Sequence, residues 1–293
     1  MALVNEKLNL SHAGGSPTSF GHRLLNTSEG SGPTTGNAQG EFDAAIFDMD
    51  GVITKTAAVH SLAWKRMFDE YLRYRETKHS EAFKEFTHAG DYLVHVDGRP
   101  RNKGVEAFLK SRGLNLTFGS PEDPPASETI CGLGNRKNEL FNQILENEGV
   151  RLYDSTIVLI REMLRQGIKV GLATSSKNSA VILNKTGTAH LFATVVDGIV
   201  SEKLGLKGKP EPDIFSTASA DLGVACARAI VIEDAVSGVQ AGAKGGFGLV
   251  IGVAREDNVE ELREHGADVV VCDLSETSVD KINRLVQAKR ARA

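Results

Sequence analysis

Cysteine is scarce in this chain. Cys131, Cys226 and Cys272 are the only three in 293 residues, far apart and without metal-ligand spacing. That excludes a disulfide framework and a cysteine-based metal site, and leaves buried thiols in a reducing compartment as the expectation. Long apolar runs are absent too: none approaches the ~20 residues needed to cross a bilayer. The opening MALVNEKLNL carries Asn5 and Glu6 where a signal peptide has its apolar core. Neither sign of charge is in large excess, and a net −4 gives no electrostatic reason to expect nucleic acid or an anionic membrane as partner. What remains is 41% apolar and 25% charged, the balance of a soluble globular protein. A cytoplasmic monomer is the expectation.

Residues 1–40 differ from everything after them. SHAGGSPTS and NTSEGSGPTTGNAQG are rich in Gly, Ser, Thr, Pro and Asn. Such a segment buries too little to offset its ordering entropy, which predicts a disordered N-terminal tail. A transit peptide is the alternative, against which stands the scarcity of arginine.

From about residue 150 short apolar runs alternate with helical stretches. The runs are KVGLATSS (169–176), FATVV (192–196), AIVIED (229–234), FGLVIGV (247–253) and DVVVCD (268–273), with AAIFDMD (44–50) belonging to the same set. Continuous Val/Ile-rich runs joined by helices predict a parallel sheet covered on both faces, a Rossmann-like α/β core. Residues 55–148 break the alternation. TAAVHSLAWKRMFDEYLRY has helical spacing, and more helix is expected near 81–87, 104–112 and 136–147. The predicted organisation is a core of 41–54 and 149–293 with an all-helical cap, 55–148, inserted over the strand ends, where ligands bind in such sheets.

The chemistry starts at AAIFDMDG. Asp48 and Asp50, two apart on a strand, share a face and point to one site, and Gly51 permits a tight departure. Two adjacent buried carboxylates raise each other's pKa, so something positive is needed beside them. The second strand ends at Thr174, Lys209 sits in a loop leading into a helix, and the fourth strand ends in Glu233-Asp234. Each has an ordinary alternative as a helix cap, a surface lysine or a turn. Together at the strand ends of one sheet, they match what phosphoryl transfer requires. A hard divalent ion, Mg²⁺, takes carboxylate oxygens and leaves room for phosphate. Asp48 then serves as nucleophile and Asp50 as proton donor and acceptor, while Lys209 and Thr174 hold the phosphoryl oxygens.

The set FDMDG, LATSS, GKPEPDIF and VIEDA, in that order, resembles the haloacid dehalogenase superfamily, and the helical insert resembles its β-phosphoglucomutase-like subgroup. The resemblance covers about residues 42–275. It implies an aspartyl phosphate on Asp48 and general acid–base work by Asp50. It further implies Mg²⁺ held by Asp48, the backbone carbonyl of Asp50 and Asp234, with Glu233 beside it, and phosphate gripped by Thr174, Ser175 and Lys209. Ser176-Lys177-Asn178 resembles the loop that holds a second, non-reacting phosphate. Thr56, His60 and Trp64 share a helical face and match a stretch whose histidine faces the catalytic site. The subgroup's cap carries a Gly-x-x-Arg turn. GLGNRKNELF is taken as its counterpart, with Arg136 displaced by one residue, while VDGRPRNKG adds Arg99, Arg101 and Lys103, which grip phosphate or decorate a solvated loop.

The expected activity is interconversion of β-glucose 1-phosphate and glucose 6-phosphate, with a sugar-phosphate phosphatase as the alternative. A non-enzymatic phosphoacceptor module of the response-regulator kind is the remote third, since it too gathers acids, a hydroxyl and a lysine at strand ends but needs no helical lid.

Overall fold

A computed structural model of the chain describes residues 40–292, so the expected tail lies outside the described residues. Six strands form one parallel sheet: β1 (Ala44–Phe47), β2 (Lys169–Ala173), β3 (Thr194–Val196), β4 (Ala229–Glu233), β5 (Leu249–Val253) and β6 (Val269–Val271). Their order is β3-β2-β1-β4-β5-β6. The chain thus winds outward from β1 through β2 to β3, then returns to β4 on the far side of β1. Where that direction reverses, a crevice opens at the carboxyl ends of β1 and β4.

The insert leaves from that end of β1. It comprises α1 (Ala57–His79), a π-helical segment (His88–Val96), α2 (Arg101–Ser111) and α3 (Ile130–Glu148). Its centre is aromatic: Phe68, Phe86 and Phe108 are fully buried, with ring centroids 4.0 to 5.1 Å apart. After it the chain runs through α4 (Asp154–Arg165), α5 (Ser179–Thr186), α6 (Gly198–Leu204), α7 (Asp213–Asp221), α8 (Val236–Lys244), α9 (Val259–Glu264) and α10 (Val279–Arg290).

Both faces of the central strands are covered, which is why β1 and β4 read as unbroken apolar runs. Ala45, Phe47, Ile230 and Ile232 pack in one cluster with α4 and α10 residues such as Ile160 and Ile282. Their neighbours Ala44, Ile46, Ala229 and Val231 pack in another with Phe215 of α7 and Val239 of α8. Two segments join the insert to the sheet, and they pair with each other. Lys55 donates its amide to the Arg151 carbonyl (2.8 Å) and Tyr153 to that of Ile53 (2.9 Å).

The helices of the insert depart from expectation in three places. Residues 81–87 are not helical: α1 ends at Ser80 in a left-handed conformation (φ 56°), and the chain then carries Phe86 into the aromatic centre. The helix expected near 104 begins at Arg101, directly after Pro100, so part of VDGRPRNKG is helical. The one expected near 136 begins at Ile130, because the Thr129 side chain accepts from the Gly132 amide and caps it six residues earlier.

Candidate active site

Asp48 follows β1 directly. Its amide donates to the Ile232 carbonyl of β4 (3.0 Å), so strand pairing continues one residue further and delivers the carboxylate into the crevice. Lys209, in the loop before α7, reaches back to it. The ammonium donates to Asp48 Oδ1 at 2.5 Å and also to Glu233 Oε1. All three side chains are buried. The other Glu233 oxygen accepts from the Ala235 amide (2.7 Å), and Gly238 leaves the space this carboxylate fills. Burial alone would lower the pKa of Lys209, but Asp48 and Glu233 more than reverse it, so the side chain is a cation.

One ammonium does not neutralise this many acids. Burial, with Glu233 and Asp50 nearby, pushes Asp48 well above the usual carboxylate range against the pull of Lys209. Asp234 is raised as well, by burial and then by Glu233, Asp97 and Asp48. The Asp234 carboxylate lies against the α-carbon of Gly51 where a Cβ would stand, so it reaches the turn that carries Asp48 and Asp50. Among the described residues no three acidic or imidazole groups already form a cation cage. The donor set of hard oxygens, crowded and short of positive charge, nonetheless fits a divalent ion such as Mg²⁺.

Asp50 points toward the insert. Its Oδ1 accepts from the Thr56 hydroxyl, which in turn lies 2.6 Å from that of Thr54. His60 of α1 brings Nε2 to 3.3 Å from the same oxygen, off the line of a good hydrogen bond. Its ring stacks on Phe141 at 4.1 Å, and its Nδ1 is 2.5 Å from the ammonium of Lys137. Lys137 is buried over the rings of Phe141 and Trp64, at 4.7 and 5.1 Å. Burial and the charge of Arg101 hold it well below the ordinary lysine range, offset in part by Asp50. Burial and Lys137 lower His60 in turn. For Asp50 burial acts upward, but His60, Thr56 and Lys137 outweigh it and keep the carboxylate ionised.

The end of β2 supplies the opposite wall. Thr174 is buried, and its hydroxyl accepts from the Ser176 amide (3.1 Å). The Ser176 hydroxyl accepts from the amide of Asn178 (3.2 Å), just before α5. Two contacts cross from here to the insert, Ser175 Oγ to the Gly98 carbonyl (2.9 Å) and Asn178 Nδ2 to Asn138 Oδ1 (2.9 Å), and within the insert Arg101 Nη2 donates to that same Asn138 oxygen (2.8 Å). Lys177 pairs with Glu202 at 2.7 Å.

A cavity of about 70 Å³ lies between these walls. Asp48, Asp50, His60, Trp64, Thr174 to Asn178, Lys209, Glu233 and Asp234 all line it. Arg136 does not: it faces outward to Glu70 (3.0 Å) and Glu139 (3.2 Å), which corrects the expectation for this residue. The Gly-x-x-Arg spacing is met instead by Gly98-Arg99-Pro100-Arg101, whose two arginines line the cavity. Sequence reasoning also missed Lys137, Tyr92 and Asp97. For Lys137 a signal existed: Leu133, Lys137, Phe141 and Ile144 occupy one helical stripe, so the lysine takes a core position. Nothing local marked Asp97 or Tyr92.

The profile of the haloacid dehalogenase-like hydrolases matches residues 42–246. The chain belongs to this family. Among relatives of this haloacid dehalogenase-like protein is the β-phosphoglucomutase of Mycobacterium bovis, 43% identical over 236 residues, 80% of this chain and 90% of that one. The β-phosphoglucomutase of Bacillus subtilis is 30% identical over 250 residues, 85% of this chain and 97% of the other. A crystal structure of β-phosphoglucomutase from Clostridium difficile superimposes with a TM-score of 0.66 at 24% identity, covering 85% of this chain and 99% of that one, and shares the fold. This family member is an enzyme, a phosphomutase or a phosphatase.

Proposed function

We propose that the chain is a Mg²⁺-dependent phosphohexomutase of the β-phosphoglucomutase type, acting on β-glucose 1-phosphate and glucose 6-phosphate in the cytoplasm as a monomer. In this reading 41–54 and 149–293 act as the catalytic core and 55–148 as a cap. The supporting observation is the setting of Asp50: its carboxylate accepts from the Thr56 hydroxyl and lies 3.3 Å from His60 Nε2, both belonging to the segment that covers the site. Proton transfer is thereby tied to a closed cap, as a mutase that must exclude water requires.

Asp48 attacks the phosphorus of a bound sugar bisphosphate or an enzyme-phosphorylating donor. The Asp48 oxygen–phosphorus bond forms, the bond from phosphorus to the sugar oxygen breaks, and Asp50 gives that oxygen the proton it took from a sugar hydroxyl in the preceding transfer. In the return half Asp50, now ionised, takes the proton from a sugar hydroxyl, whose oxygen attacks the aspartyl phosphate as the Asp48 oxygen–phosphorus bond breaks. Lys209 and the Thr174 hydroxyl hold the charge on the transferring oxygens. Mg²⁺, held by Asp48, the Asp50 carbonyl and Asp234 with Glu233 beside it, would offset the acidic cluster and the phosphoryl charge. Arg101, Ser176, Lys177 and Asn178, at the other end of the cavity, suit the phosphate that is not reacting.

Phosphorus NMR of the protein with Mg²⁺, a trace of glucose 1,6-bisphosphate and either anomer of glucose 1-phosphate tests this. Conversion of the β anomer to glucose 6-phosphate is expected. Inorganic phosphate released in step with substrate loss selects the phosphatase reading, which the hydrolase family match also supports.

A further inference from the structure

Arg255 lies in the loop after β5, remote in sequence from every residue assigned above. Its side chain is only 13% exposed. Nε donates to the Gly51 carbonyl at 2.7 Å, in the peptide that joins Gly51 to Val52. Nη1 donates to the Cys272 carbonyl at 3.0 Å and lies 3.4 Å from Asp273 Oδ2, while the guanidinium covers the Tyr153 ring at 3.6 Å. Asp273 is in turn held by the Ser155 hydroxyl (3.0 Å).

These partners belong to distinct parts of the machine. Gly51 starts the segment that leaves the core for the cap, Tyr153 ends the segment that returns, and Cys272-Asp273 follow β6 in the core. The two crossing segments also pair with each other around Thr54 and Leu152, and the Thr156 hydroxyl of α4 donates to the Val52 carbonyl (2.7 Å). A planar, always charged fork with five donors suits one side chain that must bond a carbonyl, meet a carboxylate and stack on a ring at once.

We propose that Arg255 is a positioning residue, a hinge clamp that fixes the core-side ends of both crossing segments so that the cap moves without carrying the Asp48–Asp50 turn with it. The clamp acts through the Gly51 carbonyl and the Tyr153 ring, and touches no substrate. Its catalytic consequence rests on the mutase reading; its mechanical consequence does not.

The test compares wild type, R255M and R255K, each with Mg²⁺. R255M keeps an apolar stem over Tyr153 and removes every donor; R255K keeps one donor for Gly51. Hydrogen–deuterium exchange is expected to rise in R255M within 51–56 and 151–155, with protection of β2 and β4 unchanged. Turnover should fall about 10- to 100-fold through a displaced turn, with KM within about threefold because no substrate contact is lost. Phosphate released per isomerisation should rise, a ratio that does not depend on the folded fraction. R255K should fall between the two. Wild-type exchange and an unchanged ratio in R255M overturn the proposal, whatever its melting temperature. Should R255M not fold, R255K carries the same test, and wild-type exchange there overturns the clamp. If wild type itself does not isomerise, the mutase reading fails while the exchange data still judge the hinge.

Discussion

Asp48 is held against Lys209 at 2.5 Å and crowded by other acids, so in the proposed mechanism its carboxylate would serve chemistry at a cost to stability. Asp48→Asn should therefore lower turnover by at least about 1,000-fold, the scale seen when a nucleophile is removed, while the melting temperature stays level or rises. A variant that still turns over by phosphorus NMR refutes the nucleophile assignment. Asp97 yields a prediction in pH. Burial, against the hydrogen bond from Tyr92, pushes its pKa up to about 6. The native state then holds this proton more tightly than the unfolded chain, so the stability it contributes is present below about pH 4 and is lost as pH rises to about 6. Asp97→Asn removes that loss. In metal-free buffer, the melting temperature of the variant minus that of wild type should be near zero at pH 4 and positive above pH 6.5; a difference flat across that range counts against it. Arg136 and Lys137 show where local reading fails. They are neighbours on α3, yet one is paired with Glu70 at the surface and the other is buried beside His60.

At the scale of elements, the position of Lys137 depends on where α3 starts. The Thr129 cap fixes that start, through its hydroxyl and the Gly132 amide at 2.9 Å. Thr129→Ala should cost about 1 kcal/mol, a fall of about 2–4 °C in melting temperature for a domain of this size, with kcat at 25 °C little changed. A fall in kcat larger than the loss of folded protein would show that the cap also sets the phase of the helix. The turn after β1 is the other decisive element. Gly51 has φ +87° and has Asp234 where a side chain would stand. Gly51→Ala combines left-handed strain of about 1–2 kcal/mol with displacement of that carboxylate, so the Mg²⁺ concentration giving half-maximal turnover should rise. An unchanged requirement separates Asp234 from the ion.

For the whole molecule the deciding quantity is space. The cavity of about 70 Å³ is well below the ~300 Å³ of small ligand pockets, and contacts such as Ser175 to Gly98 and Asn178 to Asn138 hold its walls together. Entry of a hexose phosphate is therefore expected to require the insert to move away from the core, with the segments paired near Thr54 and Leu152 as the pivot of that proposal. Small-angle X-ray scattering should then show a radius of gyration that shrinks when Mg²⁺ and glucose 6-phosphate are added together. A radius indifferent to both would mean that substrate reaches Asp48 by another route.

Much of this molecule follows from order along the chain. Apolar runs with helices between them determine a parallel sheet, because a strand buried on both faces has no room for polar alternation. Asp48, Asp50, Thr174, Glu233 and Asp234 were legible for the same reason: strand ends lie on one edge of such a sheet, so their address in sequence is nearly their address in space, while Lys209, in the loop before α7, was legible from its GKPEPDIF context. The insert had no such ruler. Its residues reach the cavity only through the phase of helices, where an error of one position turns a side chain by about 100°. Packing around Phe68, Phe86 and Phe108, and the start of α3 at Ile130, settle that phase. Tertiary structure alone therefore decided that Lys137, Arg101 and Asp97 face the site, that Arg136 does not, and that Arg255 braces the hinge.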